Sequence, residues 1–531
     1  MAVVTGSWVA DILLLMVFLL YLLYRNLTSS HGYFQARGIP YLKPYPLLGN
    51  FTVQTKTPVD QATFLYNSFP DERFFGFFLL KVPILAMKDP SLIQQILTKD
   101  FAHFQDRGFN TSLGDLMSMS MFFQKGDSWR SLRYKLSPTF TSGKLKLMFH
   151  QMVKSGDHVI DSIVKSLGKV VDAKAMTHEF VIEVIASTAF GLDFSKNNAE
   201  TEEFVSKSVR VTKTTFLMKI KFLFILIAPE LMKLLKMSIL SSDVEEYFLN
   251  LTKATKEYRR KNNIKRDDYF QLLLTLQEAE KSGQNLIPSA SDNNEEDALI
   301  NQMDYIPRTR QEKDSKLMTD RCVTAQSLIF LSGGSDSVST TLMFALYHIA
   351  KDPVVQERSA EEVESSLAEH GGWTYQAIKE MAYLDMVLQE TLRLYPPNPI
   401  GMRECTIPYR IPESDIVLEK GLFLNIPIRG FHMDPKVYPD PEIFNPDRFV
   451  DNNFKPNSMY MPFGDGPRIC IAMRFAIMEM KIFLAKIVLQ YSIDVDRKTK
   501  FPFAFDPQSF APSPMGGIRL NFHKRPQTEY L

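Results

Sequence analysis

The sequence predicts one large, mainly α-helical domain with a small β region, carried behind an N-terminal membrane anchor. Long apolar stretches, residues 325–350 and 471–491, have the length of helices rather than strands. Residues 74–80 and 83–87 alternate enough to form a hairpin. Residues 8–24 are apolar except for Asp11. A chain of 531 residues, 45% hydrophobic, has room for one large domain or two ordinary ones. No internal repeat or strong interior linker divides it, so a single domain is expected.

Taken in order, residues 12–24 form an uninterrupted apolar run. It falls short of the roughly 20 residues that span a bilayer unless residues 3–10 join it. Only Arg25-Asn26-Leu27 follows, with no small-residue cleavage pattern. Residues 1–27 therefore read as an uncleaved signal anchor rather than a cleaved signal peptide. Arg25, Arg37 and Lys43 come next and should keep the C-terminal bulk cytoplasmic. Residues 28–50, with Pro40, Pro44 and Pro46, read as a stiff hinge, and residues 51–531 as the folded domain. Within it, residues 91–97 read as helix, and helical segments dominate from Lys144 onward. Residues 216–240 are strongly apolar but interrupted by Lys219, Lys221, Lys233 and Lys236. That pattern suits an interfacial membrane segment, and plain core is the alternative. Residues 281–316 are polar, with Asp292-Asn293-Asn294-Glu295-Glu296-Asp297, and read as a surface insert.

A net charge of +1 argues for no nucleic-acid partner. Three cysteines, Cys322, Cys405 and Cys470, make no disulfide framework and fit a reducing compartment. Cys322 and Cys405 read as inert buried residues. Cys470 is different. It ends the run Phe463-Gly464-Asp465-Gly466-Pro467-Arg468-Ile469-Cys470, just before the apolar stretch 471–491. A thiol at such a helix start is expected to ionise easily. The glycines and proline let the backbone lie flat, and Arg468 adds a fixed positive charge. A flat, anionic, sulfur-ligated partner fits all of these, namely haem held by Cys470 and by its propionates. The alternative is a buried structural cysteine.

This run resembles the Phe-x-x-Gly-x-Arg-x-Cys-x-Gly loop of the cytochrome P450 family, with Phe463, Gly466, Arg468 and Cys470 in register. Ala472 replaces the last glycine. Glu390-Thr391-Leu392-Arg393 and Pro446-Asp447-Arg448-Phe449 match two further family motifs. The resemblance implies a buried triad of Glu390, Arg393 and Arg448 that locks the loop leading to Cys470. Ser332-Gly333-Gly334-Ser335-Asp336-Ser337 interrupts the long apolar helix. Two glycines cost roughly 2 kcal/mol there, so a local widening of the helix is expected. By resemblance Asp336 and Ser337 are the acid–alcohol pair that relays protons, Ser337 standing where the family usually has threonine. Trp129 and Arg133 match the family's Trp-x-x-x-Arg and imply a propionate contact, as does Arg403. Arg107 is a further candidate.

The resemblance covers residues 40–522 and is strongest to the animal microsomal branch of drug-metabolising and insect detoxifying enzymes. It implies the cytochrome P450 fold and haem b (iron protoporphyrin IX), with Cys470 as the metal ligand and O2 as co-substrate. Electrons would come from NADPH through a reductase, with cytochrome b5 as a second donor. The chain itself shows no nicotinamide or flavin fingerprint. Arg130, Lys135, Lys144 and Lys146 lie where the family docks its reductase. The implied location is the endoplasmic reticulum membrane, with the catalytic domain on the cytoplasmic side. The expected substrate is small and lipophilic. The pocket is expected to draw on residues 109–122, 204–217, 330–336, 399–402 and 509–515, rich in Phe, Met and Leu. The implied reaction is hydroxylation or epoxidation of xenobiotics. Oxidation of one defined endogenous substrate, a haem-thiolate isomerase and a non-catalytic haem protein are the alternatives.

Overall fold

The structure, a computed structural model, describes residues 7–109, 115–194, 199–212, 215–235, 237–283, 318–452 and 454–526. The N-terminal helix spans Trp8–Thr28, and none of its residues is buried. Its 21 residues are about 31 Å long, close to the apolar thickness of a bilayer. The run of apolar residues 12–24 is thus extended at both ends, and Asp11 sits in the first turn.

The segment expected as a hinge packs on the domain. Phe34 and Ile39 are buried. Gly76 donates to Pro40 O at 2.7 Å, Leu42 donates back to Gly76 O at 2.8 Å, and Asn50 donates to Phe78 O at 2.8 Å. These bonds run alongside the edge strand β1 (Phe74–Leu79). The other strands are β2 (Val82–Met87), β3 (Val171–Asp172), β4 (Gly401–Glu404), β5 (Tyr409–Arg410), β6 (Val417–Leu418), β7 (Phe423–Ile426), β8 (Tyr491–Val495) and β9 (Arg519–Lys524). The main sheet has the order β1-β2-β7-β4. β1 and β2 form the expected antiparallel hairpin, β2 and β7 are parallel, and β7 and β4 antiparallel. Smaller sheets are β3-β9-β8 and β5-β6.

Helices make up the rest. The central one, Asp320–Lys351, starts at Thr319, whose hydroxyl accepts from the Cys322 amide. It ends before Asp352, which caps the next helix, Pro353–Glu369. The central helix packs along Ala173–Ile185 and against Met473–Gln490. Its buried face and those neighbours form the main core.

The expected widening at Gly333-Gly334 does not occur, since the helix is α throughout. A Cβ on Gly334 would come within 3.2 Å of Ile185 Cδ1 on the neighbouring helix Ala173–Ile185, a close contact. The hydroxyls of Ser335, Ser337 and Ser339 fold back onto carbonyls one turn earlier, at 2.7, 2.7 and 2.6 Å. The π turn lies instead at Ala186–Phe190, directly after Ile185. The apolar segment 216–240 forms two helices, Phe216–Ile227 and Pro229–Leu234. Helix Tyr269–Ser282 stops at Gly283, with φ +69°, and residues 284–316 of the expected insert lie outside the described residues.

Candidate active site

Cys470 stands at the end of a tight loop. Its amide donates to Phe463 O at 2.9 Å, and Ile469 donates to Gly466 O at 2.9 Å. Gly466 has φ +69°, and a Cβ there would lie 1.8 Å from Leu97 O, so no other residue fits. The following helix begins only at Met473. Cys470 thus stands ahead of the first helical turn rather than within it. It lies deep among other groups, yet its surface opens into a cleft. A cavity beside it is lined by Arg133, Ser137, Phe140, Ile471 and Met473. Burial pushes the thiol up, and the Ala472 amide, Arg133 and Arg107 pull it back only in part. The easily ionised thiol expected from a helix start is therefore corrected for the free thiol: desolvation outweighs those pulls.

The loop is held from behind. Arg393 grips Glu390 through two bonds, at 2.6 and 2.7 Å, and both side chains are wholly buried. Arg448 Nε lies 3.5 Å from the same carboxylate. Glu390 also accepts from the Asn445 amide at 2.9 Å. His432, stacked on Tyr460, accepts from the Met461 amide at 3.1 Å, where the loop begins. The expected triad is formed, and it grips the segment that delivers Cys470.

Arginines gather near the thiol. Arg133 and Arg403 are buried, and the Nε of each has no hydrogen-bond partner. Burial holds Arg133 down at about 10 and Arg403 at about 9. Arg107 donates to Arg468 O at 3.2 Å and lies over the Phe122 ring. Burial also holds it down, at about 10, with Cys470 raising it. Arg468 stacks on Trp129, its guanidinium carbon 3.9 Å from the ring centroid. Its donors go to Gln105 O at 2.8 Å, Gln124 O at 2.9 Å and Asp106 at 3.4 Å. Burial and the cations Arg107 and Arg403 drag it down to about 7. Arg468 and Trp129 thus brace the loop wall, whereas Arg133 and Arg403 keep donors unspent.

Asp106 organises this wall and was not singled out as a site residue from the sequence. It accepts from the Gly126 amide at 3.0 Å and from Arg468, and its carbonyl accepts from Glu404 at 2.8 Å. It thereby joins the segments carrying Arg107, Trp129, Arg403 and Cys470. Asp106 and Asp465 are the carboxylates beside Arg468 and Arg403. The buried Nε donors of Arg133 and Arg403 stay without a partner. An anionic group on a flat body suits such donors, and the two propionates of haem are such groups. The donor set therefore fits haem.

The central helix crosses close by. Phe330, one turn before Gly333, packs against Phe475 at 4.9 Å and Phe140 at 5.8 Å. Gly333 is exposed in the middle of this mostly buried helix. Asp336 pairs with Lys174, Nζ to Oδ1 2.7 Å. The same ammonium reaches Ser339 at 3.1 Å and Thr340 at 2.7 Å. Ser337 bonds back to Gly333 O. Phe109, Phe122 and Phe123 cluster at centroid distances of 5.8, 5.4 and 5.1 Å, and Phe222 bridges from Phe123 at 6.5 Å to Phe510 at 5.5 Å. Phe123 falls just outside the stretches expected to line a pocket, while Phe222 belongs to the apolar segment 216–240.

The cytochrome P450 family model matches residues 39–518. The chain belongs to the cytochrome P450 family. Like its family, this P450 is a haem-dependent monooxygenase enzyme with a mainly helical fold, and the family draws electrons from redox partners. It is 32% identical to cytochrome P450 6a2 of Drosophila melanogaster, over 95% of this chain and 97% of that one. It is 33% identical to cytochrome P450 9e2 of Blattella germanica, over 94% and 95%. It is 32% identical to cytochrome P450 6B1 of Papilio polyxenes, over 95% and 97%. The N-terminal helix of this P450 has a mean hydropathy of 1.9 and fits a membrane anchor.

Proposed function

We propose that this P450 inserts one oxygen atom of O2 into small lipophilic molecules, by hydroxylation or epoxidation, with xenobiotics such as plant toxins or insecticides as the substrate class. The other oxygen atom leaves as water, with protons from solvent and electrons that originate on NADPH. Cys470 is the iron ligand. Arg133 and Arg403 hold the propionates, while Trp129, Phe463 and Arg468 shape the loop. Haem, when bound, supplies O2 activation, and a thiolate ligand favours O–O cleavage.

The remaining work falls to the chain. Asp336 and Ser337 hold and pass protons beside Gly333, with Lys174 fixing the carboxylate. The phenylalanines from Phe109 to Phe510 exclude water and receive apolar substrates. Electrons arrive from a membrane-bound NADPH-dependent flavoprotein reductase, with cytochrome b5 as a second donor. The docking face carries Arg130, Lys135, Lys144 and Lys146, of which Arg130 lies 3.5 Å from Asp127 and Lys135 is paired with Glu280. The enzyme sits on the cytoplasmic side of the endoplasmic reticulum. The helices Phe216–Ile227 and Pro229–Leu234, with Leu217, Leu231 and Leu234 exposed, rest on the bilayer.

The unpaired buried donors of Arg133 and Arg403, beside the loop that presents Cys470, carry this reading. The ferrous–CO complex should show the red-shifted Soret band of a thiolate ligand, and Cys470→Ala should abolish it. A variant that kept the band would refute the assignment.

A further inference from the structure

The anchor helix enters the domain without a free linker. Lys81 Nζ donates to Asn26 Oδ1 at 2.9 Å, in the last turn of the helix. A cation there also complements the helix dipole. The Ser30 hydroxyl donates to Lys81 O. His31 Nε2 donates to Leu80 O at 3.1 Å, and its ring lies 5.3 Å from that of buried Phe78. Leu80 and Lys81 form the turn between β1 and β2, and Leu80 has φ +54°, a left-handed conformation uncommon for leucine. Polar groups therefore tie the helix end to a stiff hairpin tip at three points.

The same hairpin tip holds a second apolar element. Gly49 bridges to Leu79, and a Cβ on Gly49 would lie 2.5 Å from Leu80 O. The loop of residues 45–51 is thus pressed against the turn that grips the anchor. Its side chains Tyr45, Leu47, Leu48 and Phe51 are 59%, 39%, 52% and 44% exposed. Four neighbouring exposed apolar residues are costly in water. They lie where the anchor leaves its bilayer, so that bilayer's interfacial layer is the surface that would cover them.

We propose that the Leu80–Lys81 turn is a bracket that locks the anchor helix to the catalytic domain and holds loop 45–51 in the interface of the same bilayer. The bracket sets the tilt of the domain over the membrane. This rests on the reading of Trp8–Thr28 as a membrane anchor.

The test uses the full-length holoenzyme in phosphatidylcholine vesicles, with Leu48→Cys carrying an environment-sensitive fluorophore. Cys322 and Cys405 are buried, and in the holoenzyme the exposed Cys470 would be taken up by the haem iron under the proposed function, so the label is directed to position 48. Lipids brominated near the headgroup should quench the label. The combined variant Asn26→Ala, Ser30→Ala, Lys81→Ala should lose that quenching and shift its emission to the red. It should still float with vesicles and keep its ferrous–CO band. Lys81→Arg, which retains a donor, should quench like the parent. An unquenched label in the parent, or undiminished quenching in the combined variant, overturns the proposal. Failure of the parent chain to float would instead overturn the anchor reading.

Discussion

Replacing Glu390 by alanine should loosen the loop of Cys470 from behind. Glu390 is wholly buried and shared by Arg393 at 2.6 Å, the Asn445 amide at 2.9 Å and Arg448 at 3.5 Å. Its loss strands Arg393, wholly buried, and Arg448, 14% exposed. Breaking a buried pair by removing one partner costs about 3–5 kcal/mol. Arg393 keeps carbonyl partners at His432 and Pro441, which places the cost near the lower end, about 3 kcal/mol. That is a factor of roughly 150 in an equilibrium constant and a large part of a typical stability of about 5–15 kcal/mol. The assay follows the thiolate-type ferrous–CO band through urea and thermal unfolding. Glu390→Ala should unfold at lower urea and several degrees earlier, and it should bind less haem after expression. Glu390→Gln, which keeps the shape but loses the charge, should fall on the same side of the parent. A parental midpoint with full haem content in Glu390→Ala would refute the view that the triad holds the loop.

His432 gives a pH dependence. Burial and the nearby Arg393 hold it down at about 3 from its usual 6.5, so it is neutral when folded. As pH falls the unfolded chain takes up this proton first, so its contribution is complete above 6.5 and is lost towards about 3. His348, held down by burial, acts in the same direction. His432→Gln should flatten the acid slope of stability by up to about 1.4 kcal/mol per pH unit, and an unaltered slope would count against the assignment. Lys174→Met should leave the CO band and melting unchanged, because a partly exposed ion pair is worth about 0–1 kcal/mol. It should shift electrons from product to peroxide, as should Ser337→Ala, and parental coupling in both would remove the Asp336 cluster from proton delivery. Reductase-supported turnover should fall as salt rises, since charge steering is screened over roughly 10 Å at 0.1 M. Arg130→Glu with Lys144→Glu should slow it while sparing peroxide-supported turnover, and equal loss in both assays would end the docking idea.

The loop around Cys470 was legible in the sequence because its requirements are contiguous. Gly466 must hold φ +69° against Leu97, and only glycine can, so the position is visible in the letters alone. Glu390 and Arg393 were legible for a similar reason, since a spacing of i, i+3 puts them on one helix face. The apolar run of the anchor and the hairpin of β1 and β2 also follow from local pattern. Other features depend on approaches between distant segments. Lys174 reaches Asp336 across 162 residues and Arg468 reaches Asp106 across 362, and no local periodicity encodes either meeting. The glycines at 333 and 334 suggested a widened helix, but the helix stays α there, and Ile185 Cδ1 lies 3.2 Å from where a Gly334 Cβ would stand. Cys470 looked easy to ionise by its place before a helix, yet the fold crowds it with desolvating groups and starts that helix only at Met473. Local sequence thus determined which groups this chain brings to its chemistry. Packing decided which charges meet and which stay unpaired, because burial and long-range contact arise only when the whole chain is folded.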